Sequence, residues 1–65
     1  MIKFNLPNIA KNVAEAYMGL AEELDLNLKN EKDYNYLKNA IHQIGFDDVT
    51  EQEMLRYIKH VMIGE

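Results

Sequence analysis

Residues 41–54, IHQIGFDDVTEQEM, contain the end of one predicted helix and the start of the next. Gly45 suits the left-handed position that follows many helices, because it has no Cβ to clash there. Phe46 would then fold back onto Ile41, which is the hydrophobic contact of a Schellman motif. The first half of the stretch therefore predicts a helix that stops near Ile44.

The second half of the stretch predicts the start of another helix. Thr50 suits an N-cap, and Glu53, three residues later, would close a capping box with it. Val49 and Met54 have the spacing of a hydrophobic staple, which fixes the angle at which the chain enters the helix. Two helices joined by a short corner are thus expected here.

The remaining sequence extends this pattern to a small bundle. Pro7 fits a first helical turn, Asn30 suits the N-cap of a second helix, and residues 1–6 form an extended lead. A chain of 65 residues without cysteine makes one small domain with no disulfides. We therefore expect a single all-α domain over residues 1–65, with three helices at about 7–24, 31–44 and 51–63.

One alternative concerns the segments outside these helices. Apolar and polar residues alternate over residues 2–6 and 26–28, as they do in short strands. Pairing of the two segments into a small sheet stays open from the sequence, but the three-helix bundle is the favoured interpretation.

Each predicted helix has an apolar face. The second and third helices would bury Tyr34, Leu37, Ala40, Ile41, Ile44, Met54, Leu55, Ile58, Val61 and Met62. In the first helix, at 100° per residue, the apolar positions fill an arc of roughly 200°, about twice what a surface helix needs. Half of that arc is bulky and half is mostly Ala: Ile9, Val13, Ala16, Tyr17, Leu20 and Leu24, then Ala10, Ala14, Met18 and Ala21.

The width of this arc predicts that the first helix is covered on two sides. Small side chains permit close approach of a second backbone, so we expect a homodimer through Ala10, Ala14, Met18 and Ala21. Tyr36 and Tyr57 lie at the borders of the other two apolar faces. Because aromatic residues are enriched in interfaces, they complete the predicted protein-binding residues.

No catalytic, cofactor-binding or metal site is predicted. The chain has no Ser or Cys, and its only Thr is Thr50, which suits a cap. It therefore lacks a nucleophile with a base in reach, and we do not expect an enzyme. His42 and His60 fall on polar helix faces without neighbouring metal ligands. The paired acids Asp47 and Asp48 precede a helix, where the dipole favours negative charge.

Charge and hydropathy restrict the partners and the location. The net charge of −4 is spread along the chain and disfavours binding to phosphate backbones. The apolar runs are too short for a membrane span and the start lacks the features of a signal peptide, so cytoplasm is the expected location. Residue types with AT-rich codons are abundant, which favours a low-GC bacterium or one of its phages or plasmids.

The favoured function is that of a protein-binding module, a small regulator or inhibitor encoded on a phage or other mobile element, with a partner that the sequence does not name. One alternative is a DNA-binding transcription regulator with a helix-turn-helix-like pair, in which Gln52, Arg56, Lys59 and His60 face the DNA. The acids around the corner argue against this, since they would repel phosphates. The other alternative is a structural or assembly subunit.

Overall fold

The computed structural model describes residues 3–65 and confirms the all-α bundle. Within these residues the helices are α1 (Asn8–Glu23), α2 (Glu31–His42) and α3 (Asp48–Ile63). All of them contact one another, and α1 packs most extensively against α3. The bundle measures 29 × 27 × 18 Å. Residues 3–65 contain no strand; residue 2, part of the segment considered for a strand pair, lies outside the described residues.

The buried faces of α2 and α3 follow the predicted stripes but are narrower. Two predicted core residues are on the surface, with Ile44 44% and Val61 55% exposed. Ile44 lies beyond the end of α2 and so leaves the helical stripe. Val61 lies about 80° from the centre of the buried face of α3. The fully buried large side chains are Leu37, Ile41, Met54 and Ile58.

A complete Schellman motif ends α1, where the sequence had not indicated one. Asp25 has a left-handed φ of 57°. The Leu26 N–H donates to the Ala21 carbonyl at 2.9 Å, and the Asp25 N–H donates to the Glu22 carbonyl at 3.1 Å. These two bonds satisfy carbonyls that the helix itself leaves unpaired. They reverse the chain toward the loop that contains the buried Leu28.

The end of α2 has only half of the predicted Schellman motif. Gly45 is left-handed as expected, with φ 98°, and its N–H donates to the His42 carbonyl at 3.3 Å. Among the described residues, no bond runs from the Phe46 N–H to the Ile41 carbonyl. The helix ends at His42, two residues before the predicted position.

The N-cap of α2 is Asn30, as predicted. Its side-chain oxygen accepts from the N–H groups of Lys32 at 2.9 Å and Asp33 at 3.4 Å. The Asp33 carboxylate accepts from the Asn27 N–H at 2.9 Å, which ties the preceding loop to the helix start.

The predicted N-cap of α3 is wrong. The helix begins at Asp48, because Asp47 caps it in place of Thr50. The Asp47 carboxylate accepts from the Thr50 N–H at 3.1 Å and from the Thr50 hydroxyl at 2.7 Å. A carboxylate is a stronger acceptor than a hydroxyl, and the Thr50 hydroxyl serves here as a donor. Both bonds lower the pKa of Asp47 below its ordinary value, and the bond from the Thr50 hydroxyl has the larger effect.

The capping box and the staple are likewise absent from this corner. Val49 lies in the first turn of α3 and is 69% exposed, so it does not form the predicted hydrophobic staple. The Glu53 carboxylate instead accepts from the Asn5 N–H at 3.1 Å. Beside this bond, the Phe4 ring packs edge-to-face on Tyr57, with ring centres 5.3 Å apart. Phe4 and Asn5 therefore lie against α3, and Asn5 holds Glu53; residues 1 and 2 of the predicted lead lie outside the described residues.

Candidate functional site

The Ala side of α1, predicted as a dimer interface, is inside the molecule. Ala10, Ala14 and Ala21 have no exposed surface and Met18 is only 9% exposed. Ala10, Ala14 and Met18 belong to the same buried cluster as Met54, Leu55 and Ile58 of α3. Small side chains do permit close approach of a second backbone here, but that backbone is α3 of the same chain. These residues are therefore not a surface for a second copy, and self-association stays a prediction.

Five of the six residues in the bulky half of the apolar arc lie along the outer side of α1, whereas the sixth, Tyr17, is half-buried against the core. The five follow the spacing i, i+4, i+7, i+11 and i+15, which places them within an arc of about 80°. Ile9 is 72% and Leu24 48% exposed, Ala16 is exposed, and the two others are half-buried. We call this set the outer stripe of α1: Ile9, Val13, Ala16, Leu20 and Leu24.

The outer stripe runs from the first turn of α1 to Leu24, the residue that caps its end. Fifteen residue steps at about 1.5 Å each give it a length of roughly 22 Å. Glu23 borders it on the helical wheel and is exposed. With Glu15, Glu22 and Glu23 against Lys11, α1 has an acidic polar face, which lies on the Glu23 side of the stripe only.

The two border tyrosines have different environments. Tyr36 is 56% exposed on α2 and is available to a partner. Tyr57 is half-buried and donates a hydrogen bond from its hydroxyl to the Glu15 carboxylate at 3.2 Å. Burial and this bond to Glu15 raise the pKa of Tyr57. Tyr57, on α3, thus contacts Glu15 of α1 and Phe4 before α1 within the chain.

A cleft lined by both charged and apolar residues lies between α2 and α3. It has a volume of about 410 Å³. Three of the four residues considered for DNA contact line it, whereas the fourth, His60, packs beside Phe4 with ring centres 5.5 Å apart. We call this site the α2–α3 cleft; its lining residues are Tyr34, Lys38, Gln52, Leu55, Arg56, Lys59 and Glu65.

Positive charge and aromatic surface meet in the α2–α3 cleft. The Lys59 ammonium lies 4.3 Å from the centre of the Tyr34 ring, a cation–π contact, and 3.7 Å from the Glu65 carboxylate. The Arg56 guanidinium lies 2.9 Å from the Glu53 carboxylate. The bond from the Asn5 N–H and the adjacent Arg56 lower the pKa of Glu53. The sequence did not predict this cleft, because its residues come from two separate helices.

The burial of one acidic residue was also not predicted from the sequence. Glu51 is only 8% exposed, in the first turn of α3, and its carboxylate lies 2.8 Å from Nδ1 of His42 at the end of α2. His42 itself is on the surface, as its place on the polar face predicted. The pair connects the two helix ends that meet at the corner.

The described residues hold no group of three or more His, Asp or Glu side chains placed to bind one metal ion. Between residues 3 and 65, no helix has both the length and the apolar composition needed to cross a membrane. Comparison with known proteins gives no assignment: no family model matches the chain, and neither a curated protein nor a solved structure matches it significantly.

Proposed function

We propose that this protein is a protein-binding module and that the outer stripe of α1 is its principal contact surface. The observation that supports this is a line of apolar residues along one side of α1, of which the two end residues, Ile9 and Leu24, are exposed. Isolated apolar residues are normal on a protein surface, but an ordered stripe bordered by polar residues is typical of an interaction site. The spacing of its residues is that of a helix whose apolar side enters a groove.

The charges around the stripe indicate the kind of partner. α1 carries three Glu and one Lys, and the chain as a whole has a net charge of −4. Electrostatic complementarity steers association and excludes like-charged partners. The partner we propose is therefore a protein with an apolar groove and basic residues along one edge of it. A small regulator or inhibitor, encoded on a phage or other mobile element, is the biological role that this binding would serve.

The test compares two pairs of substitutions that remove similar apolar surface. Ile9→Gln with Leu24→Gln removes the ends of the stripe, and Val49→Gln with Val61→Gln removes exposed residues of α3. The net charge is unchanged in both. We expect the wild type and the α3 pair to capture the same protein from the native cell, and the stripe pair to lose it. Equal capture by both pairs would show that binding uses another surface.

The two other functional classes predict different outcomes. A structural or assembly subunit would sediment as part of a large particle of fixed stoichiometry, whereas a regulator would sediment as a monomer or a small oligomer. A DNA-binding regulator would shift duplex DNA at low salt, and the shift would require Arg56 and Lys59. Two features argue against DNA binding. Arg56 is paired with Glu53, and the helix that would enter the DNA groove starts with two acidic residues, the N-cap Asp47 and Asp48.

A further inference from the structure

We propose that the α2–α3 cleft binds a carboxylate side chain of an acidic peptide segment. This inference rests on a different surface from the outer stripe of α1 and does not depend on the function proposed above. Its basis is the placement of cations, aromatic surface and a carboxylate in one cleft.

The cleft concentrates positive charge in an acidic protein. The chain has seven Lys and Arg residues and a net charge of −4. Three of the seven, Lys38, Arg56 and Lys59, line this single cleft. The Arg56 guanidinium bonds Glu53 through Nη1 and lies over the Phe4 ring, 4.9 Å from its centre. Its side chain is 55% exposed and a guanidinium carries five N–H donors, so donors remain for a ligand. This arrangement makes the cleft a local site for an anion on a surface that otherwise repels one.

A carboxylate of the chain already lies in this cleft. Gly64 adopts a left-handed φ of 73°, and the backbone turns so that the Glu65 carbonyl lies 3.1 Å from Nδ1 of His60. The Glu65 carboxylate is then 3.7 Å from the Lys59 ammonium and remains 56% exposed. An exposed pair of this length contributes little to stability. Glu65 therefore shows which chemical group the cleft accommodates, and a better-placed carboxylate displaces it at little cost.

The rest of the lining favours a peptide over a nucleic acid. Leu55 is buried at the base of the cleft and the half-buried Tyr34 ring forms part of its wall, so the methylene groups of a Glu side chain find apolar contact. Gln52 supplies an amide that both donates to and accepts from a peptide backbone. Duplex DNA carries one charge per ~1.7 Å and needs an extended basic track, whereas the three cations here are confined to one cleft.

The experiment is a titration of the full chain, followed by the backbone amide NMR signals. The probe is an octapeptide of alternating Glu and Leu with blocked ends; the comparison probes are its Gln–Leu counterpart and an oligothymidylate of equal length. We expect saturable shifts confined to the cleft with the Glu peptide only. Absence of saturation, equal binding of the Gln peptide, or binding of the oligothymidylate alone would overturn the proposal.

Matched variants locate the binding. Arg56→Gln with Lys59→Gln should weaken the Glu peptide by about tenfold or more, since charge-assisted hydrogen bonds are lost. Lys11→Gln with Lys29→Gln makes the same change of charge at exposed positions outside the cleft and should leave the affinity within about twofold, as exposed, distant charges are screened. Glu65→Gln should tighten binding by removing the internal competitor. Equal weakening by the two double variants would show that only net charge matters.

Discussion

Replacing either of two glycines by Ala should change the stability of this protein in opposite directions. Gly45 lies in the α2–α3 corner with φ 98°, and Gly19 lies inside α1. At both positions the new Cβ would meet no heavy atom within 4 Å in the described part of the chain, apart from its own neighbours and, for Gly19, nearby helix backbone. Neither substitution therefore introduces a clash, and the backbone conformation alone determines whether the free energy of unfolding rises or falls.

The magnitudes follow from the conformational preferences of Ala. A left-handed backbone costs an L-residue about 1–2 kcal/mol, so Gly45→Ala should destabilise the fold by about 1 kcal/mol or more. Ala is preferred over Gly inside a helix by about 0.8–1.0 kcal/mol, so Gly19→Ala should stabilise it by nearly that amount. For a domain of this size, 1 kcal/mol corresponds to about 4–8 °C in Tm, which separates the two variants by roughly 8–16 °C.

Urea and thermal unfolding followed by far-ultraviolet circular dichroism measure both variants against the wild type. Gly45→Asn is the matched control at the corner, because Asn tolerates the left-handed region better than Ala and should lose less stability. Shifts of the same sign for Gly45→Ala and Gly19→Ala would refute the reasoning, since the corner would then not require a left-handed residue.

Three further predictions concern capping, titration and the core. Asn30→Ala removes the acceptor for two N–H groups at the start of α2 and should cost about 1 kcal/mol in urea unfolding, whereas Asn30→Asp should cost much less. Asp47 has a lowered pKa in the fold, so its contribution is present above its unfolded value of 3.8 and is lost as pH falls through the folded pKa. The stability difference between wild type and Asp47→Asn should accordingly shrink between about pH 5 and pH 2, and a constant difference would contradict this cause. Leu37→Ala, at a fully buried position, should cost about 2–5 kcal/mol and abolish cooperative unfolding, while the same change at the exposed Leu24 should not.

Local signals in the sequence predicted most of the fold. Asn30 and Gly45 each act on their own few residues, so their cap and left-handed turn could be predicted without knowledge of the rest. The predicted start of α3 was wrong because Asp47, three residues before Thr50, is also a good N-cap residue. The carboxylate of Asp47 took the cap, and Thr50 became its donor.

The surfaces could not be predicted with the same success. Helical periodicity placed both halves of the apolar arc of α1, but it did not determine which half faces inward. That depends on the close packing of the Ala side against α3, a contact between residues far apart in sequence. The α2–α3 cleft is of the same kind, since Tyr34 and Lys59 become neighbours only when two helices meet.

Under the function proposed above, the division of α1 into an inner Ala side and an outer stripe separates folding from recognition. The end residues of the stripe, Ile9 and Leu24, are exposed, whereas Ala10 and Ala14 are fully buried, where a larger side chain would overpack the core. Substitutions at Ile9 and Leu24 should thus accumulate at little cost to stability, so that a change of partner would not require a change of fold. The Ala side, by contrast, should accept almost no variation among descendants of this sequence.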